Sequence, residues 1–184
     1  MPYKSVTYGA KSPINLGKVQ NMKNITCCFT GHRKLPPDKY NDILQKTRKQ
    51  IEIAYRDGYR RFLCGGALGY DTMCAQEIIR MKKTHPDIKL ILVYPCLGQD
   101  AKWQEKDRET YRAVFEECDE CYCMSKSYTP YCMHLRNRAM INDSSLCIAY
   151  LESDKGGTAY TYSYAAKHGV RTVNVAQING GEHE

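Results

Sequence analysis

The sequence contains no apolar run long enough to cross a bilayer, and residues 1–20 have no apolar centre of the kind that a signal peptide needs. Its glycine-rich turns also lack the two best-known phosphate-binding motifs, the full dinucleotide fingerprint and the Lys-Ser or Lys-Thr pair that ends a P-loop. We therefore expect a cytoplasmic protein with no membrane contact. Neither motif can be used to assign a nucleotide site.

Acidic residues are fewer than basic ones, which gives the 184-residue chain a formal net charge of +7. The basic residues are spread along the chain on what look like solvated helix faces, and they form no basic run. This distribution favours a phosphorylated small molecule as the partner and ranks nucleic acid below it.

The ten cysteines are interpreted as free thiols, because several fall in predicted strands or on apolar helix faces. Cys118, Cys121 and Cys123, with Cys132 and His134 nearby, have the density of a zinc site. Zinc sites normally pair two separate ligand knuckles, however, and this cluster does not. We predict buried thiols here, and no metal and no cofactor for the protein.

Buried-strand patterns alternate with helical patterns after a polar segment without periodicity. The predicted strands cover 25–29, 61–64, 89–94, 121–124, 146–150 and 170–175. The predicted helices cover about 38–58, 71–84, 100–118, 130–142 and 158–167, with Asp38 and Thr129 as N-caps for the first and fourth. Strands that read as unbroken apolar runs between helices predict an α/β fold, with a doubly wound, mainly parallel sheet of about six strands and helices on both faces.

The chain is long enough for a core that needs no disulfides, and its length predicts one domain. We place that domain at 22–176. The segments at 1–21 and 177–184 are predicted to be flexible tails.

Three polar turns that contain glycine follow predicted strands, at 30–33, 65–71 and 152–158. Ligands of doubly wound sheets bind outside the carboxyl ends of the strands, where the strand order reverses, so we expect the three turns to meet around one ligand. The last two turns lead directly into helices, and the two helix dipoles are predicted to converge on one phosphate. Taken alone, the glycine turn at 65–69 is equally typical of an ordinary strand-to-helix connection.

Five motifs occur in order along the chain. They are Phe29-Thr-Gly-His-Arg33, Cys64-Gly-Gly-Ala-Leu-Gly-Tyr-Asp71, Pro95 with Trp103, Leu135-Arg-Asn-Arg-Ala-Met-Ile-Asn-Asp-Ser144 and Gly156-Gly-Thr158. Together they resemble the YpsA-like branch of the SLOG superfamily, over roughly residues 24–176. The resemblance implies a Rossmann-like fold that binds a nucleotide or a nucleotide-derived ligand, in bacteria or their mobile elements. It also implies a homo-oligomer, because SLOG relatives are often dimers or larger.

The superfamily includes the LOG phosphoribohydrolases, which cleave the bond between base and ribose 5′-phosphate. Their arginine lies in an Arg-Lys-x-x-Met motif, and Arg136-Asn-Arg-Ala-Met140 is similar to it. Their glutamate lies in Pro-Gly-Gly-x-Gly-Thr-x-Glu-Glu, from which this chain departs, because Tyr160 and Thr161 stand where the glutamates would be.

Without those glutamates, hydrolysis would have to use another carboxylate beside Arg136, and the acidic candidates near the glycine turn are Asp71 and Glu77. Each has an alternative interpretation. Asp71 is also typical of a helix N-cap, and Glu77 of a solvated helix surface. Whether the protein is an enzyme therefore stays open, and if it is one, we expect an N-glycosidic-bond hydrolase.

The predicted ligand-binding residues come from the three turns and from the helix with the LOG-like arginine. They are Gly31, His32, Arg33, Gly65, Gly66, Gly69, Asp71, Arg136, Asn137, Gly156, Gly157 and Thr158. The leading hypothesis is that the protein binds or senses a nucleotide-derived small molecule, such as a nucleoside monophosphate, ADP-ribose or a cyclic nucleotide. The alternatives are a LOG-like hydrolase of nucleoside 5′-monophosphates and a single-stranded DNA binder similar to DprA, another member of the superfamily.

Overall fold

The structure is a computed structural model that describes residues 22–178. The predicted tail at 1–21 lies outside the described residues, and so does all of the predicted tail at 177–184 except its first two positions.

Six strands form one parallel sheet. They are β1 (Thr26–Gly31), β2 (Arg61–Cys64), β3 (Lys89–Tyr94), β4 (Glu120–Cys123), β5 (Leu146–Tyr150) and β6 (Arg171–Asn174). Their order across the sheet is β4-β3-β2-β1-β5-β6, so the chain moves outward from β1 to β4 and then returns to place β5 on the other side of β1. The reversal puts the switch point between β1 and β5, where Gly31 pairs with Tyr150 at the carboxyl edge.

Five α-helices connect the strands. They are α1 (Tyr40–Arg56), α2 (Tyr70–Lys82), α3 (Glu105–Glu117), α4 (Cys132–Asn142) and α5 (Gly157–Lys167), with short 3₁₀ helices at Pro37–Lys39 and Val175–Gln177. None of the helices within residues 22–178 is long and apolar enough to span a membrane.

Alternate strand residues pack into two separate cores, because successive side chains of a strand point to opposite faces of the sheet. On one face, Phe29 and its neighbours pack with apolar side chains of α1, α2 and α3. On the other face, Cys28 and Ile91 pack with Met140 of α4 and Ala165 of α5. Helices therefore cover both faces, and the predicted doubly wound α/β fold is confirmed.

Three helices begin later than predicted, for local reasons. The residues just before α1 form a short 3₁₀ helix at Pro37–Lys39, in which Lys39 N–H donates to Pro36 C=O at 3.1 Å. The α-helix itself therefore starts only at Tyr40. A turn between Thr129 and Cys132 likewise precedes α4. Among the described residues neither Asp38 nor Thr129 caps its helix, so both predicted N-caps are wrong.

The α3 segment is shortened by a pair of successive turns. Ala101 N–H donates to Gly98 C=O at 3.0 Å, and Trp103 N–H donates to Asp100 C=O at 2.9 Å. These turns take up the segment that the sequence assigned to the first helical turn, and α3 begins at Glu105.

All ten cysteines lie within the described residues as free thiols. Cys118 and Cys121 are half-buried, but Cys123 is exposed at the end of the edge strand β4, so the prediction of a buried thiol is wrong there. Burial raises the pKa of Cys118 to about 11, which keeps this thiol protonated at neutral pH. The described residues contain no group of three His, Cys, Asp or Glu side chains that could hold a metal ion.

Candidate functional site

A cavity of about 250 Å³ lies at the carboxyl edge of the sheet, where β1 ends beside the switch point. It is lined by Phe29, Thr30, Gly31, His32, Arg33, Ala67, Asp71, Met133, Arg136, Asn137, Gly157 and Thr158. The three turns that the sequence placed at this edge therefore meet around one space. Small-molecule pockets usually measure about 300–1,000 Å³, so this cavity lies just below that range and could enclose only a small ligand or part of a larger one.

Asp71 and Arg136 form a buried ion pair in the wall of the cavity. Arg136 Nη1 donates to Asp71 Oδ2 at 3.2 Å, and the two side chains are only 7% and 8% exposed. The N–H of Ala67 donates to the same oxygen at 3.3 Å. Burial raises the pKa of the Asp71 carboxyl, and the guanidinium and the Ala67 N–H oppose this rise without cancelling it. Asp71 thus uses its side chain for tertiary contacts and not as an N-cap, since Gly69 is the N-cap of α2.

Gly65 provides the space in which the Arg136 guanidinium lies. A Cβ atom at Gly65 would be 1.0 Å from Arg136 Nη1 and 2.6 Å from Asp71 Oδ2. Gly65 does not line the cavity. Its place in the structure supports a role in positioning the ion pair instead of the predicted direct contact with a ligand.

The glycines before α2 allow close contacts between the turn at 65–71 and neighbouring parts of the chain, including the turn at 30–33. Gly69 has a φ of 77°, and a Cβ atom there would lie 2.4 Å from the Arg33 carbonyl oxygen. Tyr70 N–H donates to His32 C=O at 3.1 Å. Gly66, with a φ of 64°, lies against Tyr111 and accepts a hydrogen bond from a neighbouring amide, and neither Gly66 nor Gly69 lines the cavity.

The N-terminus of α5 opens onto the cavity through Gly157 and Thr158. Its N-cap residue is Gly156, with a φ of 92°, and no side chain in the described part of the chain caps this helix. The first-turn N–H groups are therefore available to an anion. Thr161 Oγ1 donates to Gly157 C=O at 2.8 Å and accepts from Asn137 Nδ2 at 2.8 Å, which ties this turn to α4.

The two predicted helix N-termini differ in how many of their groups already have partners within the protein. At α2, a backbone N–H is already bonded to His32 and the Asp71 carboxylate occupies the first turn. The Tyr70 N–H is thus engaged within the protein, and the convergence of two helix dipoles on one phosphate stays a prediction.

The first turn contributes one anchored and one exposed side chain to the cavity. His32 Nε2 accepts the N–H of Glu152 at 3.1 Å, and its ring packs edge-on against Tyr150, with 5.6 Å between ring centroids. Arg33 is exposed, forms no ion pair within residues 22–178, and contacts Met133 with 3.9 Å between Nη2 and Sδ. His32 therefore joins two of the turns, and Arg33 supplies positive charge at the exposed side of the cavity.

Glu77 does not line the cavity. Its carboxylate accepts from Arg48 Nε at 2.6 Å and from Arg80 Nε at 2.8 Å, which joins α1 to α2. Burial alone would raise the pKa of Glu77, but these hydrogen bonds outweigh burial and hold the pKa below its ordinary value. The structure therefore gives Glu77 a role in joining α1 to α2, and its position away from the cavity does not favour its candidacy as a catalytic carboxylate.

Sequence reasoning missed four residues that also line the cavity, Phe29, Thr30, Ala67 and Met133. Met133 had a usable signal, because it precedes Arg136 and Asn137 by three and four positions and so lies on their face of the helix. Trp103, from the third of the five motifs, packs edge-on against Tyr111 and does not line the cavity.

Comparison with known proteins gives one matching family model and several sequence relatives. The YpsA model, described as "YspA SLOG family", matches residues 28–179. A UPF0398 protein of Halalkalibacterium halodurans is 31% identical over 127 residues, which make up 68% of this chain and 67% of the relative. The SPbeta prophage-derived protein YoqJ of Bacillus subtilis is 29% identical, over 63% of this chain and 75% of YoqJ.

Two solved structures have a similar fold. DNA processing protein A of Helicobacter pylori superposes with a TM-score of 0.58 at 17% sequence identity, over 84% of this chain and 66% of that one. DprA of Streptococcus pneumoniae gives a TM-score of 0.55 at 14% identity, over 82% of this chain and 50% of that one. The chain thus spans slightly under two thirds of one neighbour and half of the other, and at these identities the likeness concerns the fold.

Proposed function

The chain belongs to the YpsA family of SLOG proteins, and from that premise we propose that its cavity binds a nucleotide-derived small molecule. The match to the family model confirms the resemblance seen in the sequence. The proposed ligand class is a nucleoside monophosphate, ADP-ribose or a cyclic nucleotide. Its phosphate binds the N–H groups at Gly157 and Thr158, and binding serves recognition or sensing.

The observation that carries this proposal is the pairing of two unlike environments in one small cavity. The uncapped N-terminus of α5 and the exposed Arg33 provide positive charge for an anion. The buried Asp71 and Arg136 side chains provide hydrogen-bonding groups in the same wall. A ligand that carries both a phosphate and polar ring substituents is complementary to both environments.

Thermal unfolding in the presence of a nucleotide panel tests the proposal. A ligand with a Kd near 1 µM, added at about 100 µM, stabilises the native state by about 2.7 kcal/mol and raises the melting temperature. The panel should contain nucleoside 5′-monophosphates, ADP-ribose and cyclic nucleotides, with the unphosphorylated nucleosides as controls. A melting temperature that no phosphorylated member of the panel raises contradicts the proposal.

Hydrolysis of the N-glycosidic bond in nucleoside 5′-monophosphates is a second candidate. It is favoured by the position of Asp71, which supplies a carboxylate within the cavity and beside Arg136. This candidate predicts release of free base, with loss of the activity in Asp71→Asn and Arg136→Ala. Glu77→Gln, on the same helix but away from the cavity, should keep the activity. If folded protein releases no base, binding without turnover is supported.

Single-stranded DNA binding ranks below both. The printed title of the H. pylori structure describes such a binding mode for that protein. For the present chain this candidate predicts an affinity that falls steeply with salt, because each neutralised phosphate releases counterions. The cavity of about 250 Å³ favours a small ligand over a polymer.

The cytoplasmic location, self-association and a single domain at 22–176 also stay proposals. Light scattering of the purified protein tests self-association, and limited proteolysis tests the domain boundaries.

A further inference from the structure

The Arg136 side chain is incompletely hydrogen-bonded where it borders the cavity. A guanidinium has five N–H donors. In the described part of the chain, Arg136 makes one hydrogen bond, from Nη1 to Asp71 Oδ2, and its buried Nε has no partner. A buried cation with so few partners is costly for stability. Its Nη2 group forms no hydrogen bond with residues 22–178 and, unlike Nε, is not fully buried, so a ligand acceptor could pair with it.

The Asp71 carboxylate also lacks hydrogen bonds that it could accept. Both of its hydrogen bonds from described residues, those of Ala67 N–H and Arg136 Nη1, end on Oδ2. The second oxygen, Oδ1, accepts no hydrogen bond from residues 22–178. The carboxylate therefore retains an acceptor oxygen for a ligand donor.

The net charge of the pair indicates what kind of group it receives. Together the carboxylate and the guanidinium are neutral, so they do not attract an anion as the N-terminus of α5 does. They do offer an acceptor and donors side by side. Hydroxyl groups both donate and accept, and the neighbouring hydroxyls of a ribose are complementary to such a pair.

We propose that the Asp71–Arg136 pair binds the ribose hydroxyls of the ligand, so that the cavity selects ribonucleotides over 2′-deoxyribonucleotides. The inference rests on the proposed function and names the part of the ligand that is recognised. A cavity of about 250 Å³ can enclose a sugar and its phosphate, which are shared by all members of the proposed ligand class. A deoxy ligand would leave polar groups of the site unpaired, and that penalty produces the selectivity.

Calorimetric titration with matched ribo- and 2′-deoxyribonucleoside 5′-monophosphates tests the inference. We expect each ribonucleotide that binds to have a Kd at least tenfold lower than its 2′-deoxy counterpart. In Asp71→Asn, which keeps the shape but removes the charge and one acceptor, the ratio should fall below about threefold. Glu77→Gln, an acidic residue of the same helix outside the cavity, should keep the ratio of the unsubstituted protein.

A comparison that needs no variant covers the case in which Asp71→Asn does not fold. Ribose 5-phosphate and 2-deoxyribose 5-phosphate, titrated into the unsubstituted protein, should differ in the same direction. Equal binding of ribo and deoxy ligands, or a preference that persists in Asp71→Asn, overturns the inference and leaves the proposed function standing. If no phosphorylated nucleotide binds at all, the proposed function fails and the inference fails with it.

Discussion

The backbone of Gly65 lies so close to the Arg136 guanidinium that a Cβ atom at position 65 would be 1.0 Å from Arg136 Nη1. The two residues are 71 positions apart in the sequence, and the fold brings the turn after β2 against the α4 side chain. Glycine at position 65 is therefore required by a side chain, and its local backbone does not require it, since its φ is not positive.

Gly65→Ala should displace Arg136 and lower the affinity for the nucleotide at least tenfold, because the ion pair loses its geometry. Calorimetric titration of the variant measures the effect. Gly58→Ala is the matched control: its φ of 94° makes alanine strained, but nothing lies within 4 Å and the site is remote. The control should lose about 1 kcal/mol of stability and keep its affinity. Unchanged binding in Gly65→Ala would show that Arg136 is not needed in this position.

Thr158→Val should weaken binding of phosphorylated ligands by about 1.5–3 kcal/mol, the usual contribution of a hydrogen bond to a charged group. Unphosphorylated nucleosides should bind the variant and the unsubstituted protein equally. Thr110→Val, on α3, removes a hydroxyl that is bonded to a backbone carbonyl, and serves as the control. A Thr158→Val variant that discriminates phosphate as well as the unsubstituted protein would show that the Thr158 hydroxyl is no part of the anion site, which would then consist of the N–H groups that valine keeps.

Asp71 should make the protein less stable as pH rises. Burial raises its pKa above the ordinary value of 3.8 in the native state. Between pH 3.8 and the higher native pKa, the native carboxyl holds a proton that the unfolded chain has lost. The contribution of Asp71 to stability is therefore greatest below pH 3.8 and declines as pH rises to the native pKa. Urea unfolding at several pH values measures the free energy of unfolding of the unsubstituted protein and of Asp71→Asn. The value for the unsubstituted protein minus the value for the variant should decrease as pH rises above 3.8. An increase in that window would contradict the burial of the ionised form.

Glu77 should behave in the opposite way, because its native pKa lies below the ordinary value of 4.5. Its contribution to stability is complete above pH 4.5 and is lost as pH falls through the native pKa. Glu77→Gln should therefore lower the free energy of unfolding by about 1–2 kcal/mol at neutral pH and have little effect in acid. Nucleotide affinity should not change. A loss of nucleotide binding in this variant would indicate that Glu77 takes part in the ligand site.

The parts of the fold that follow from local pattern could be predicted from the sequence. The bounds of β2, β3 and β5 agree with the predicted strands. Strands that are buried on both faces consist mostly of apolar residues, so they stand out in the sequence. The late starts of α1, α3 and α4 could not be predicted, because the capping preferences of residues do not reveal whether the preceding residues form a separate hydrogen-bonded turn.

The meeting of the three turns also followed from the sequence, because a doubly wound topology dictates which loops share an edge. The pairing of Asp71 with Arg136, the space left by Gly65 and the engagement of Glu77 with Arg48 did not. Each of these depends on the distance between elements that are far apart in the chain, and neither composition nor spacing encodes that distance.

The structure of a complex with a nucleoside 5′-monophosphate tests the central claim most directly. The account predicts the phosphate oxygens within hydrogen-bonding distance of the N–H groups of Gly157 and Thr158, at the N-terminus of α5. A nucleotide bound elsewhere on the protein, or bound in the cavity with its phosphate against Asp71 and away from α5, would contradict it.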